Sequence, residues 1–269
     1  MSGCAVFGGP IGEAEIAARL APREHVVSAF ASVAGRAVHR VETGNRSGMA
    51  VIFIHGSPGS WEAFGDYLAD AELAARAHLI SVDRPGFGAS GLGHAVPDLA
   101  AQAEAVASVW RDWSPSKQAV VIGHSLGGPI AAQVSVEHPE RVRGVLLLAP
   151  SVAPELETVY FYQHLFSWPP FRWLIPADLK ACNDEILPLA DELRELEPRW
   201  EELGVPVSIM HGTADRLVPV ENVDFIEARL PKSQLTVNRL EGARHFLPWT
   251  HFEDVKGAIL ELLDAPAEG

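Results

Sequence analysis

A serine stands between an apolar stretch and an amphipathic stretch of this chain, where residues 120–128 read VVIGHSLGG. Glycines lie two positions before and two positions after Ser125. A G-x-S-x-G sequence that ends a strand and begins a helix forms a sharp turn, which exposes the serine hydroxyl and leaves room only for small neighbours. The turn also directs the N–H of Leu126 and the helix N-terminus at the position where negative charge develops during acyl transfer. We therefore predict that Ser125 is a nucleophile and that Leu126 is an oxyanion donor.

A serine hydroxyl is a poor nucleophile at neutral pH, so this chemistry requires a general base and a group that orients the base. His245 follows the last predicted strand in the sequence GARHF, and Asp215 follows the strand before it in the sequence HGTAD. Both loops should emerge at the carboxyl ends of strands, where open parallel sheets build their sites. We predict that His245 is the base and that Asp215 orients it. The competing interpretation of Asp215 is a structural cap before the helix that follows Pro219.

Other aspartates and histidines compete for these two roles. The competing acids lie on predicted cap or helix segments rather than after a core strand, and they are Asp184, Asp191 and Asp224. Three competing bases lie on predicted helix or cap positions, and they are His138, His164 and His251. The fourth, His124, lies beside Ser125, but its side chain leaves the strand in the opposite direction. Placement after core strands therefore favours Asp215 and His245.

The second oxyanion donor should come from the loop that follows the first buried strand, where the chain reads HGSPG from His55. Its glycines allow the backbone to approach a substrate closely. The N–H of Ser57 is the natural partner for that of Leu126, since Pro58 has no N–H to donate. We expect His55 to hold this loop by hydrogen bonds rather than to act as an acid or base.

Apolar runs alternate with amphipathic stretches along most of the chain, which predicts β-α units on a mostly parallel sheet. The chain begins with a predicted short helix at 11–20 and a hairpin formed by 26–33 and 36–42. Strands buried on both faces are rich in Val, Ile and Leu, and this predicts strands at 50–55, 79–83, 119–124, 144–149, 207–211 and 235–240. Helices are predicted near 61–69, 98–112, 126–137, 220–229 and 250–263.

The alternation breaks between residues 151 and 204, where six prolines mingle with eight aromatic residues. Strands do not tolerate so many prolines, and two charged helical pieces are predicted here, at 178–186 and 189–197. We predict a mainly helical cap whose aromatics pack on the core or line a pocket mouth. The predicted division is an N-terminal helical extension at 1–25, a first part of the core at 26–150, the cap at 151–204 and a second part of the core at 205–269.

Composition limits the partners and the compartment. The 269 residues are 48% hydrophobic, enough for one large core, and 35 acidic against 21 basic residues give a net charge of -14. This charge repels phosphate backbones and anionic membrane surfaces, so no nucleic-acid partner is expected. The two cysteines, Cys4 and Cys182, predict neither a disulfide framework nor a zinc site.

No apolar run is long enough to span a membrane, and residues 1–10 lack the pattern of a signal peptide. The default expectation is a cytoplasmic protein. The alternative is a periplasmic lipoprotein anchored at Cys4, because Ser-Gly-Cys at 2–4 is similar to the end of a bacterial lipoprotein signal. That alternative requires the true start to lie upstream.

These motifs together resemble the α/β-hydrolase superfamily, in the branch of esterases, peptidases and lactonases with an H-G-x-P-G loop. The resemblance runs from about residue 38 to 263 and includes DRPGFGAS at 83–90, which is similar to the family's D-x-x-G-x-G-x-S loop. It implies a mostly parallel eight-stranded sheet with helices on both faces and a cap inserted after strand 6. It also implies a Ser125, Asp215, His245 triad that needs no cofactor and no metal. Serine at position 125 argues against dehalogenase and epoxide-hydrolase relatives, which have aspartate there.

The activity expected from this resemblance is hydrolysis of a carboxylic ester with a small or medium acyl group. The alternatives are amide or iminopeptide cleavage and C–C bond hydrolysis, which use the same triad, and a non-catalytic binding protein on this fold. An iminopeptidase needs carboxylates that receive a free amine, and four acidic cap residues leave this open: Asp184, Glu185, Asp191 and Glu192. The expected partner is a small-molecule ester or amide, and the oligomeric state does not follow from the sequence.

Overall fold

The computed structural model describes residues 11–21, 25–110, 113–114 and 117–265. Its strands are β1 (Val27–Val33), β2 (Arg36–Gly44), β3 (Met49–Ile54), β4 (Ala77–Val82), β5 (Ala119–His124), β6 (Val142–Leu148), β7 (Val207–Gly212) and β8 (Leu235–Leu240). They form one eight-stranded sheet in the order β1-β2-β4-β3-β5-β6-β7-β8. Strand β2 is antiparallel to both β1 and β4, and the pairs from β4 to β8 are parallel. The predicted mostly parallel sheet is confirmed.

The helices in the described residues are α1 (Glu13–Arg19), α2 (Gly65–Ala69), α3 (Ala71–Arg76), α4 (Leu99–Ala107), α5 (Gly127–Glu137), α6 (Phe161–Ser167), α7 (Ala177–Leu196), α8 (Asn222–Glu227), α9 (Leu247–Thr250) and α10 (Phe252–Asp264). Short 3₁₀ helices span Trp61–Phe64, Ser108–Trp110, Pro154–Leu156, Phe171–Trp173 and Glu197–Glu202. They connect or extend the longer elements.

The two faces of the sheet carry separate hydrophobic clusters. On β3, Ile52 and Ile54 pack in the cluster that includes residues of α4, α5, α7 and α8. Their neighbours Val51 and Phe53 pack in the cluster that includes residues of α1, α2, α3 and α10. Successive side chains of a strand point to opposite faces, so a strand covered on both sides must be apolar throughout. Helices therefore cover both faces, as the apolar runs predict.

Helix α7 corrects one prediction, because the two helical pieces expected at 178–186 and 189–197 form a single helix. Pro188 lies inside it and costs about 3 kcal/mol relative to a good helix former. Leu189, Leu193 and Leu196 of the same helix are buried in the core cluster, and fully burying a leucine contributes about 1.5–3 kcal/mol. Packing of this apolar face outweighs the penalty of the proline.

Three helices in the described residues were absent from the predictions. They are α3, α6 and α9, which are six, seven and four residues long, too short for a helical period to be visible in the sequence. The helix predicted at 98–112 divides into α4 and a 3₁₀ helix, and residues 111–112 lie outside the described residues. Cys4 also lies outside them. The boundaries proposed for the cap stay a prediction, although α6 and α7 do lie between β6 and β7.

None of the helices described here combines the length and the apolar character needed to cross a bilayer.

Candidate active site

Ser125 occupies the tight turn between β5 and α5 and has a positive φ of 55°. Its N–H donates to the carbonyl of Leu148, 2.9 Å away, and its own carbonyl accepts from the N–H of Gly128 at 2.8 Å. A Cβ at Gly123 would collide with the backbone of Gly127, and one at Gly127 would collide with the carbonyl of Ile54. Close packing of strand against helix thus requires the glycines on either side of the serine, as the motif predicts.

Asp215 and His245 lie side by side beyond the ends of β7 and β8. His245 Nδ1 is 2.7 Å from Asp215 Oδ2, and both side chains are buried. The other carboxylate oxygen accepts the N–H groups of Leu217 and Val218 at 2.8 and 3.0 Å. Burial alone would raise the pKa of Asp215, but interactions with His211 and His245 outweigh it and hold the pKa well below the ordinary value of 3.8. The carboxylate is therefore ionised and fixed beside the imidazole.

His124 supports His245 from behind, a role that the sequence analysis missed. Its Nε2 donates to the carbonyl of His245 over 3.0 Å, and the two rings are 4.8 Å apart. Burial, together with the unfavourable interaction of its protonated form with His245, lowers the pKa of His124 to about 3. His124 is therefore neutral at ordinary pH and fixes the backbone of the predicted base.

The HGSPG loop is held by a fully buried arginine. Arg84 Nε donates to the carbonyl of His55 at 2.9 Å, and Arg84 Nη2 donates to the carbonyl of Gly56 at 3.0 Å. His55 Nε2 accepts the backbone N–H of Arg84 at 3.0 Å. Burial and the adjacent Arg84 lower the pKa of His55 well below its ordinary value. His55 is thus a neutral residue in hydrogen bonds with the loop, in keeping with the structural role expected for it.

Glu185 of helix α7 completes this arrangement. Its carboxylate accepts from both Arg84 Nη1 and Arg84 Nη2, at 2.9 and 3.0 Å, and from the hydroxyl of Ser57 at 2.9 Å. Gln102 Nε2 donates to the same carboxylate at 2.9 Å. Glu185 was expected as a possible amine receptor, but it is buried in this network and does not line the cavity. It instead ties the segment between β6 and β7 to the loop beside Ser125.

Replacing Glu185 by Ala is expected to lower the free energy of unfolding by about 3–5 kcal/mol, because it leaves the Arg84 guanidinium buried without its counter-ion. Urea unfolding followed by circular dichroism measures the loss. Glu195→Ala is the matched control, since Glu195 lies on the same helix but is exposed. Equal losses in the two variants would mean that the ion pair contributes nothing specific.

A cavity of about 1130 Å³ opens above Ser125. Ser57, Leu126 and His245 line it together with the serine, whereas Asp215 lies behind His245. Much of the remaining wall is apolar or aromatic, including Tyr160, Tyr162, Leu179, Ile186, Leu189 and Trp249. The structure thus brings the residues predicted as nucleophile, base and oxyanion donors to one cavity.

Most of the competing acids and bases lie away from the cavity, whereas His124 lines it but uses Nε2 in the hydrogen bond to the His245 carbonyl. Asp184 is paired with Arg172, Asp191 with Arg194 and Asp224 with Arg239. None of these aspartates lines the cavity, and neither do His138, His164 and His251. In the part of the chain that the structure describes, no group of three or more His, Cys, Asp or Glu residues is placed to hold a metal ion.

This geometry can be compared with known proteins. A family described as alpha/beta hydrolase fold matches residues 49–185, about half of the chain. The chain belongs to the α/β hydrolase family. The resemblance noted in the sequence is confirmed at this level, and the eight-stranded sheet agrees with it.

Similar α/β hydrolase sequences include a pimeloyl-[acyl-carrier protein] methyl ester esterase of Klebsiella pneumoniae, which is 29% identical over 199 residues, covering 61% of this chain and 75% of that protein. The dihydrolipoyllysine-residue acetyltransferase component of the acetoin cleaving system of Cupriavidus necator is 38% identical over 124 residues. That match covers 45% of this chain and only 31% of that longer protein. Relatives of this chain thus include esterases and other hydrolases, and ester hydrolysis is an activity of its family.

The structure of a membrane phospholipase A has the same overall arrangement, with a TM-score of 0.70 over 94% of this chain and 90% of that one. At 20% sequence identity this likeness shows the α/β hydrolase fold alone.

Proposed function

We infer that this α/β hydrolase is a serine hydrolase that cleaves a carboxylic ester with a small or medium acyl group through an acyl-enzyme. One observation carries the proposal: His245 shares the cavity with Ser125 and is hydrogen-bonded through Nδ1 to the buried carboxylate of Asp215. A carboxylate on Nδ1 fixes the tautomer that leaves Nε2 free to accept a proton. That is the arrangement by which a histidine activates a serine hydroxyl.

The reaction proceeds in two halves. Ser125 Oγ attacks the acyl carbon while its proton passes to His245, and the carbonyl oxygen becomes an oxyanion. When this intermediate collapses, the ester C–O bond breaks and His245 returns the proton to the leaving alkoxide, which departs as an alcohol. Water then attacks the acyl-enzyme, giving its proton to His245, and the acid departs as Ser125 regains a proton. No cofactor enters this scheme.

The N–H groups of Ser57 and Leu126 are the proposed oxyanion donors. Both residues line the cavity beside Ser125, and neither N–H donates a hydrogen bond to another described residue. Gly56 keeps the two donors close, because a Cβ there would come within 2.9 Å of Ser125 Cβ. Donors that are already oriented stabilise the developing charge without reorganisation.

The cavity wall supports an apolar acyl group, since it contains many aliphatic and aromatic side chains. Three carboxylates among the described residues line the cavity, Glu62, Asp66 and Glu157, and keep the amide alternative open; of these, Glu62 is paired with Arg19 and Asp66 is exposed. Glu157 lines the cavity, accepts a hydrogen bond from Ser151 and forms no ion pair with any described residue. Burial raises the pKa of Glu157, which disfavours a bare charge there and suits an ester more than an ammonium group. C–C bond hydrolysis and a non-catalytic binding protein have no comparable observation in their favour.

Comparison of p-nitrophenyl acetate and butyrate with proline p-nitroanilide tests the proposal. We expect kcat/KM for the esters to exceed that for the anilide by at least about a hundredfold, because burial disfavours the charged form of Glu157 that a free amine would need as its partner. Glu157→Gln, which keeps size and hydrogen bonding, should leave ester turnover within a fewfold. Preference for the anilide, abolished by this substitution, would establish Glu157 as an amine receptor and overturn the ester assignment.

A further inference from the structure

Large apolar side chains are exposed on one short stretch of the chain. Nine such side chains are exposed among the described residues, and six of them lie between residues 160 and 174. We call these six the cap-surface patch: Tyr160, Phe161, Tyr162, Trp168, Trp173 and Leu174. Phe161 and Trp173 are 82% and 85% exposed. A patch of this kind on a folded protein marks a surface that meets an apolar partner.

Two members of the cap-surface patch reach the cavity. Tyr160 and Tyr162 line the cavity, and their rings stack with centroids 5.4 Å apart. Two further exposed apolar side chains, Leu217 and Phe246, also line the cavity. Of the nine exposed residues, only Phe30 on β1 belongs to neither the patch nor the cavity wall. A partner that covers Tyr160 and Tyr162 therefore lies at an opening of the cavity that contains Ser125.

Charge indicates which apolar partner fits. Acidic residues number 35 of 269, yet none occurs between residues 158 and 177. The single arginine of that stretch, Arg172, is neutralised by Asp184. The patch is thus electrically neutral on a strongly acidic protein. The remaining charge repels an anionic surface, whereas a surface of zwitterionic lipid meets no such repulsion.

The residue types in the patch suit the boundary between headgroups and acyl chains. Tryptophan and tyrosine have an apolar ring with a polar edge and favour this boundary. Helix α6 has seven residues and the adjacent 3₁₀ helix three, so these elements can lie on a lipid surface but cannot cross it. We propose that the cap-surface patch binds the surface of zwitterionic lipid and holds the cavity mouth against it.

Vesicle flotation of the full chain with phosphatidylcholine tests this proposal, using Ser125→Ala so that no turnover alters the lipid. The parent should float with the vesicles. Exchanging Phe161 and Trp173 together for serine should lower the partition coefficient at least about tenfold, because two exposed rings no longer enter the interface. Phe30→Ser is the matched control, an exposed aromatic outside the patch, and should float like the parent. Vesicles that contain phosphatidylglycerol should bind the parent more weakly.

Several outcomes would overturn the proposal. The parent could stay unbound, or the Phe30 variant could lose as much binding as the double variant. Sedimentation velocity provides a further check: a dimer that the double variant dissociates, without flotation of the parent, would assign the patch to a second copy of the chain. Far-UV circular dichroism and urea midpoints establish that the variants are folded. Because flotation requires no catalysis, its result is independent of the proposed ester hydrolysis.

Discussion

Ser125→Ala is expected to lower kcat for p-nitrophenyl acetate by about 10⁵-fold or more. Without the hydroxyl no acyl-enzyme can form, and only the oriented N–H groups and the binding cavity remain to assist attack by water. Stability should change little, since Ala removes one oxygen atom from a half-buried position whose hydrogen bonds are made by its backbone. Steady-state rates and urea midpoints measure the two effects separately.

The matched control is Ser151→Ala, which alters a second serine in the same cavity wall. Its hydroxyl donates to Glu157 rather than facing a base, so its loss should reduce kcat by less than about tenfold. A fluorophosphonate probe, which reacts with activated serines, should label the parent and the Ser151 variant but not the Ser125 variant. Labelling that persists without Ser125 would place the nucleophile elsewhere.

Asp215→Asn is expected to lower kcat by about 10⁴-fold. The amide can donate a hydrogen bond to Nδ1 and thereby stabilise the imidazole tautomer that carries its proton on Nε2, where it cannot accept the proton of Ser125. It also removes the charge that stabilises the imidazolium. The parallel control is Asp224→Asn, which removes a surface ion pair with Arg239 and should leave kcat unchanged. Equal activity of the two variants would exclude Asp215 as the orienting acid.

The same substitution should change the dependence of stability on pH. The folded-state pKa of Asp215 is lowered from its ordinary value of 3.8, so this carboxylate contributes stability that is complete above about pH 4 and is lost as the pH falls through the folded-state pKa. The Asn variant lacks that contribution. The difference in unfolding free energy between parent and variant should therefore be largest near neutral pH and shrink below pH 4. A difference that is constant with pH would contradict this reasoning.

The alternation of apolar and amphipathic stretches was sufficient to predict the sheet and to place three distant loops at one of its edges. Runs such as residues 119–124 are apolar at every position because both sheet faces are covered, and six consecutive residues of β5 are indeed buried. In a parallel sheet, the loops after the carboxyl ends of the strands meet at one edge. The positions of Asp215 and His245 in two such loops were therefore predictable from the order of the strands along the chain. Their catalytic roles stay predictions that the substitutions above test.

Interactions between distant segments were not predictable in this way. Arg84 and Glu185 are 101 positions apart, and no local motif around either residue predicts the other as its partner. Arg84 belongs to the DRPGFGAS stretch, and the resemblance of that stretch to a family loop does not predict which residues Arg84 contacts. Helix α7 likewise continues through Pro188 because burial of its leucines in the core outweighs the tendency of a proline to end a helix.

The ion pair between Arg84 and Glu185 limits how helix α7 can move beside Ser125. Outward movement of helix α7 is costly, because it would separate the Glu185 carboxylate from the Arg84 guanidinium, which is 0% exposed. Helix α6 forms no buried ion pair of this kind among the described residues and is joined to α7 by a hydrogen bond from Asn183 Nδ2 to the Gln163 carbonyl, so its displacement would cost less. Replacing the segment between β6 and β7 by that of a relative would also leave Arg84 buried without a counter-ion, unless the new segment places an acidic side chain at the same position.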